Sequence, residues 1–291
     1  MSTDALATID PRTQMGAVRL RVGDLDGTRR FYEGVLGAEA LEATPTLAHL
    51  GVGGKALVEL VSAPEAPPRP RRTTGLFHLA ILVPGRAQLG AALRRLTDAG
   101  WGLTGASDHL VSEALYTSDP EGNGIEIYRD RPREDWPRAG GELRMDTLPL
   151  DLGSVLADAD PDGGPMAPGT RMGHVHLNVA EVPASEAFYS GLLGFEPTVR
   201  SYPGALFVSA GGYHHHLGLN TWAGEGAPPP PEGSRGLERF EVVLPEAGEV
   251  EAVAARLDGA GVALRREGDA VAFVDPSSNG LLLRASDSPA A

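Results

Sequence analysis

The feature that most restricts how this chain can fold is that it repeats itself. The segment Val18 to Gly37, VRLRVGDLDGTRRFYEGVLG, lies over Val175 to Gly194, VHLNVAEVPASEAFYSGLLG, so that Phe31 and Tyr32 meet Phe188 and Tyr189. A second pair interleaves with the first: Gly75 to Pro84 lies over Gly236 to Pro245, and further on Asp119 to Gly124 lies over Asp275 to Gly280. Four similar modules therefore follow one another along the 291 residues, and repeats of this kind bury a core by packing against one another.

Each module reads as strand, helix, then three strands. In the first, Val18 to Val22 is a strand, and Leu25, Phe31, Tyr32, Val35 and Leu36 form a helical stripe that Gly37 stops in the left-handed conformation. In the second, Phe77 to Val83 is a strand, and Leu89, Leu93 and Leu96 are the inward face of a helix over Arg86 to Ala99. Asp119-Pro120-Glu121-Gly122-Asn123-Gly124 is a turn before the last strand.

The pattern predicts an α+β fold of four βαβββ modules, with helices packed outside curved antiparallel sheets. It divides the chain into an N-terminal domain at 15–130 holding modules one and two, and a C-terminal domain at 171–286 holding modules three and four. Between them, 131–170 is rich in proline, glycine and mixed charge and reads as a crossover linker, while residues 1–15 read as a poorly ordered arm.

With 39 acidic against 25 basic residues the formal charge is -14, which repels a phosphate backbone and argues against nucleic acid or an anionic membrane surface. No cysteine is present, so thiolate catalysis and cysteine zinc sites are excluded, and a metal would have to take histidine, carboxylate or carbonyl ligands. No apolar run reaches the roughly 18 residues of a membrane span, and MSTDALATIDPRTQ lacks the charge-then-apolar order of an export signal. The expectation is a cytoplasmic protein with a small-molecule partner.

The strand Gly173 to Val179 carries the clearest chemical signal. Alternation puts His174, His176 and Asn178 on one face and Val175, Leu177 and Val179 on the other, one face polar and one core. His78 opens module two in the matching place, and Glu126 stands in its last strand between Ile125 and Ile127.

These modules, with FY and LG at the end of the first helix and DPxGNGIEI before the last strand, resemble the vicinal oxygen chelate superfamily of glyoxalases, extradiol dioxygenases and bleomycin-resistance proteins. The tracts TGLFHLAILVP, GASDHLVSEALYTSDPEGNGIEIYRDRPRE, GHVHLNVA and GGYHHHLGLNTW resemble more closely the bacterial two-domain proteins of the catechol 2,3-dioxygenase type. The resemblance implies that two modules close around one metal, with ligands from the first and last strand of each.

Carried over residue by residue, the ligand positions are Ala17 and Glu59 in module one, His78 and Glu126 in module two, His174 and His216 in module three, and Arg239 and Leu282 in module four. Ala17 and Leu282 cannot bind a metal, and Arg239 is a permanent cation. The expected set is therefore His78, Glu126 and His174, which requires modules two and three to meet. Two histidines and a carboxylate leave room on a ferrous ion for a diol and dioxygen.

The same resemblance implies that His109 and Tyr116 sit near the substrate and that His214 or His216 handles its proton, with Fe(II) as cofactor and Mn(II), Zn(II) or Ni(II) as other metals the set would accept. The expected activity is extradiol cleavage of a catechol-like aromatic by O2, in a homo-oligomer. Two other readings are a glyoxalase-like isomerase using Glu59, His78 and Glu126, and a metal-free drug-binding protein. His49 and His176 read as structural.

Overall fold

The fold was read from a computed structural model, described over residues 8–159 and 164–287. Module one supplies β1 (Gln14–Val22), α1 (Leu25–Gly34), β2 (Glu39–Ala43), β3 (Leu47–Val52) and β4 (Lys55–Ser62). Module two supplies β5 (Gly75–Leu82), α2 (Arg86–Asp98), β6 (Gly105–Asp108), β7 (Ser112–Ser118) and β8 (Gly124–Asp130). The connection contributes the short β9 (Arg138–Ala139), β10 (Glu142–Leu143) and β11 (Leu148–Pro149), then α3 (Leu152–Ala157).

Module three follows with β12 (Arg171–Asn178), α4 (Val182–Glu186) running on into a π-helical turn (Ala187–Leu192), β13 (Glu196–Val199), β14 (Ala205–Ser209) and β15 (Leu217–Asn220). Module four closes with β16 (Gly236–Leu244), α5 (Ala247–Gly259), β17 (Arg265–Glu267), β18 (Ala270–Val274) and β19 (Gly280–Ala285). All four modules have the expected strand-helix-three-strand order, in an α+β architecture.

The strands form two large sheets. One is eight-stranded, in the order β17-β18-β19-β16-β1-β4-β3-β2, and the other nine-stranded, in the order β11-β6-β7-β8-β5-β12-β15-β14-β13. Module one therefore joins module four, and module two joins module three. Each sheet takes one module from 15–130 and one from 171–286.

The sheets are mixed rather than purely antiparallel. The first and last strands of each module run parallel, as in β5 with β8 and β12 with β15, and the two modules of a sheet meet antiparallel at β1/β16 or β5/β12. A parallel neighbour needs a crossover, and the helix of each module is part of that crossover.

Alternation along the junction strands decides what each face carries. Leu79, Ile81, Val175, Leu177, Ile125 and Ile127 are at most 2% exposed and belong to the main core, together with Leu89, Leu93 and Leu96 of α2. The opposite face of the nine-stranded sheet carries the polar residues. No helix among the described residues is long and apolar enough to cross a membrane.

Within each half of the chain, the two modules, which belong to different sheets, are also tied to one another. Tyr32 donates its hydroxyl hydrogen to Asp119 at 3.4 Å, linking module one to module two, and Tyr189 donates to Asp275 at 2.9 Å, linking module three to module four. Each aspartate also accepts two backbone N–H groups and the side-chain amide of an asparagine in its turn. The repeated tyrosine and the repeated turn thus meet, and all four residues are buried.

Two expectations need correction. Residues 8–15 are not a loose arm: the Ile9 side chain is buried, its N–H donates to the Gly194 carbonyl at 2.9 Å, and β1 begins at Gln14. Residues 1–7 lie outside the described residues. The connection also does more than link: β11 pairs with β6, α3 packs on α2, and Trp136 is buried with its indole N–H on the Arg131 carbonyl.

A buried carboxylate that loses a hydrogen-bond donor costs about 1–3 kcal/mol, so Tyr189→Phe should lower the unfolding free energy by that much and Tyr32→Phe, with the longer contact, by less. Thermal or denaturant unfolding checks this. Unchanged stability in Tyr189→Phe would show that the tie carries no weight.

Candidate metal centre

The site is built by the junction of β5 and β12 and by β8 beside it. His176 pairs with His78, His174 with Ala80, and Ala80 with Glu126, so strand alternation points His78, Glu126, His174 and His176 from the same face. Across β7, Tyr116 stands opposite Glu126 on that face too. Ala80 sits beneath them and keeps the centre of the cluster open.

His78 Nε2 and His174 Nε2 lie 3.0 and 3.1 Å from the same oxygen, Glu126 Oε2. All three ligand atoms fall within 4.8 Å of one another, and their residues are at most 6% exposed. Bonds of about 2.0–2.2 Å at roughly right angles leave neighbouring ligand atoms about 3 Å apart, which is the spacing of each imidazole from the carboxylate. His78 and His174, 96 positions apart in the chain, have ring centroids 5.6 Å apart.

The charge state suits a divalent ion. Burial pulls the Glu126 carboxyl upward, yet His174 and His78 beside it hold it well below the usual carboxylate range. Burial pushes the His174 imidazole down to about 4 against the pull of Glu126, so it is neutral near pH 7. His78 Nε2 is buried without a hydrogen bond although it points at the carboxylate. An orphaned imidazole nitrogen, a neutral imidazole and an ionised carboxylate converging on one point fit a metal ion.

The cluster lies at one side of a cavity of about 470 Å³. His109 and Tyr116 line it: His109 Nδ1 donates to the Asp146 carbonyl at 2.7 Å, so in the neutral ring Nε2 accepts the Tyr116 hydroxyl hydrogen at 2.6 Å. Burial and then the Glu126 charge push the Tyr116 phenol well above its usual range, and it keeps its proton.

The histidine tract presents to the cavity a member other than the expected His214 or His216. β15 begins only at Leu217, so His214, His215 and His216 lie in the irregular approach to it. It is His215 that lines the cavity, 4.1 Å from His174 between ring centroids, while His214 and His216 lie behind it. His216 Nδ1 accepts the Ala210 N–H at 3.1 Å.

The hydrogen bonds behind His215 assign its tautomer. The Asp130 carboxylate accepts from the Tyr213 hydroxyl and from His214 Nε2 at 3.0 Å, which leaves the His214 Nδ1 lone pair facing His215 Nδ1 at 2.7 Å. His215, which burial keeps neutral and whose ring lines the cavity, then carries its hydrogen on Nδ1 and leaves Nε2 unprotonated.

Module three's last strand supplies no fourth ligand. By strand register the equivalent of Glu126 is Gly218, opposite His176, and not His216, because the hairpin before β15 shifts the alignment by two residues. A Cβ on Gly218 would come within 2.7 Å of the His176 ring, so glycine there makes room for it. His176, read from sequence as structural, lines the cavity with its Nε2 buried and unpartnered.

Glu59 lies in the other sheet. There Arg19, Glu59 and Arg239 occupy the corresponding face, and ion pairs fill it: Arg19 with Glu59 at 2.6 Å and Arg239 with Glu267 at 2.7 Å. The set Glu59, His78 and Glu126 is not brought together.

Two successive stretches, 14–127 and 171–277, match the sequence profile of the glyoxalase/bleomycin resistance protein/dioxygenase superfamily. The chain belongs to that superfamily. Within the superfamily, a Bacillus subtilis (strain 168) protein named catechol-2,3-dioxygenase is 43% identical over 279 residues, covering 94% of this chain and 97% of its own.

Solved structures share the fold at low identity. A candidate dioxygenase from Bacillus subtilis subsp. subtilis str. 168 superposes with a TM-score of 0.69 at 15% identity, covering 97% of this chain and 87% of the other. Glyoxalase I from Zea mays superposes at 0.58 and 19%, covering 93% and 92%.

Removing either imidazole should weaken divalent-ion binding at least about a hundredfold, more than loss of an outer partner costs. Calorimetric titration of Zn(II) into metal-free His78→Ala, His174→Ala and Glu59→Ala separates the cases. Only the last should bind as the unaltered protein does.

Proposed function

We propose that this protein is a non-haem Fe(II)-dependent extradiol dioxygenase that opens the ring of a catechol-like aromatic with O2. The observation that carries the reading is the convergence of His78, Glu126 and His174 beside the cavity, with His215, its Nε2 unprotonated, lining the same space. The 43% identity to a protein named catechol-2,3-dioxygenase over nearly the whole length supports it.

His78, Glu126 and His174 would hold Fe(II), which would supply a redox-active centre able to bring a diol and dioxygen together. The protein's own part is to seat and orient the ring and to manage its protons. His78 and Glu126 line the cavity, so a ring seated there would lie beside the three side chains that would hold the ion.

His215 is the residue we assign to the substrate's proton. Its Nε2 takes a hydrogen from a diol hydroxyl, and His214 and Asp130 behind it hold the ring in the tautomer able to do so. His214 and His216, the members of the tract singled out by sequence, act through His215 or lie apart from the cavity. Tyr116, with its hydrogen engaged by His109, turns its oxygen lone pairs toward the diol.

A metal-free binding groove gives no reason for two imidazoles to converge on one buried carboxylate oxygen. The isomerase reading loses its third ligand with Glu59 in the other sheet.

Anaerobically iron-loaded protein should turn catechol into a yellow ring-opened product once air is admitted. His215→Gln should retain iron while kcat falls about 10²- to 10⁴-fold, the usual range for a positioned acid-base group. Iron-loaded protein that leaves every catechol intact, with bound iron verified by metal analysis, would overturn the reading.

A further inference from the structure

Resting on that reading, we infer that the preferred substrate is an uncharged diol bearing an apolar substituent about the size of a second ring. Three observations lead there. The first is size: the cavity of about 470 Å³ is roughly three times the ~150 Å³ that accommodates a benzene molecule. A bare catechol beside the ligands leaves most of the space unfilled.

The second is the wall. Phe77, His176, Trp222 and Phe207 form a continuous aromatic surface, with ring centroids 5.1 Å apart for Phe77 and Trp222, 5.2 Å for His176 and Trp222, and 5.6 Å for His176 and Phe207. Phe77 and Trp222 are 41% and 45% exposed, two of the five large hydrophobic residues that stand so open among the described residues. An exposed aromatic pair at the edge of a cavity is apolar surface that a ligand would cover.

The third is charge. Among the described residues no lysine or arginine lines the cavity; its ionisable side chains are Glu126, Asp146, two tyrosines and four histidines. Arg144, next in sequence to the lining residue Met145, is paired with Asp146 at 3.6 Å. A divalent ion's charge is offset by Glu126 and by ionisation of the diol itself, so a carboxylate elsewhere on the ring would meet no counter-charge. Uncharged hydroxyls such as Ser107, Ser112 and Thr117 complete the lining.

The test compares matched diols on the iron-loaded full chain: 3,4-dihydroxybenzoate against its methyl ester, and catechol against 3-phenylcatechol. The ester should exceed the acid, and the phenyl compound the bare ring, each by about tenfold or more in kcat/KM. Quenching of tryptophan fluorescence on the Zn(II)-loaded protein, which does not turn over, should give the same order of Kd values. Trp222→Ala should lower kcat/KM more for 3-phenylcatechol than for catechol, and Ser107→Arg should move the ester-to-acid ratio toward the acid.

Preference for the free acid, or for bare catechol over its phenyl derivative, would overturn the inference while leaving a dioxygenase. Absence of cleavage with every diol, alongside the predicted order of binding, would sink the dioxygenase reading and leave the ligand class standing.

Discussion

The antiparallel contact between β5 and β12 is the constraint on which the site depends. Because side chains alternate along both strands, pairing His176 with His78 and His174 with Ala80 forces the imidazoles of the two strands onto one face and Leu79, Ile81, Val175 and Leu177 onto the other. A slip of one residue would bury the histidines among the helices and expose leucines to the cavity. The apolar back face, nearly all of it inaccessible to solvent, is therefore what holds the polar front face in register.

The second sheet shows what the same frame does without such chemistry. At its corresponding junction Arg19 faces Arg239, and Glu59, Glu238 and Glu267 answer their charge. Its front face is closed by its own side chains. One duplicated scaffold thus supports a cavity on one sheet and a network of ion pairs on the other, and the difference lies in a few residues at equivalent places.

Much of this was legible in the sequence. The repeats gave the modules, and the chemical poverty of Ala17, Arg239 and Leu282 pointed to modules two and three as the pair that meets. His78, Glu126 and His174 could be named because each sits at a regular strand position, where period-two alternation applies. His215 could not, since its tract precedes β15, outside the regular strand. Asp146 escaped notice because the segment that holds it looked like a linker, and only the pairing of β11 with β6 brings it to the cavity. His176 was recoverable, being two residues from His174 on the same face.

Because each sheet joins a module from one half of the chain to a module from the other, no contiguous half contains the full set of proposed ligands. His78 and Glu126 leave the ribosome well before His174, and β12, the strand that carries it, is also the partner that covers the open edge of β5. A nascent or truncated chain holding only the first two would present a bare strand edge and an incomplete grip on an ion. The proposed ligand set is thereby withheld until the polypeptide has closed on itself.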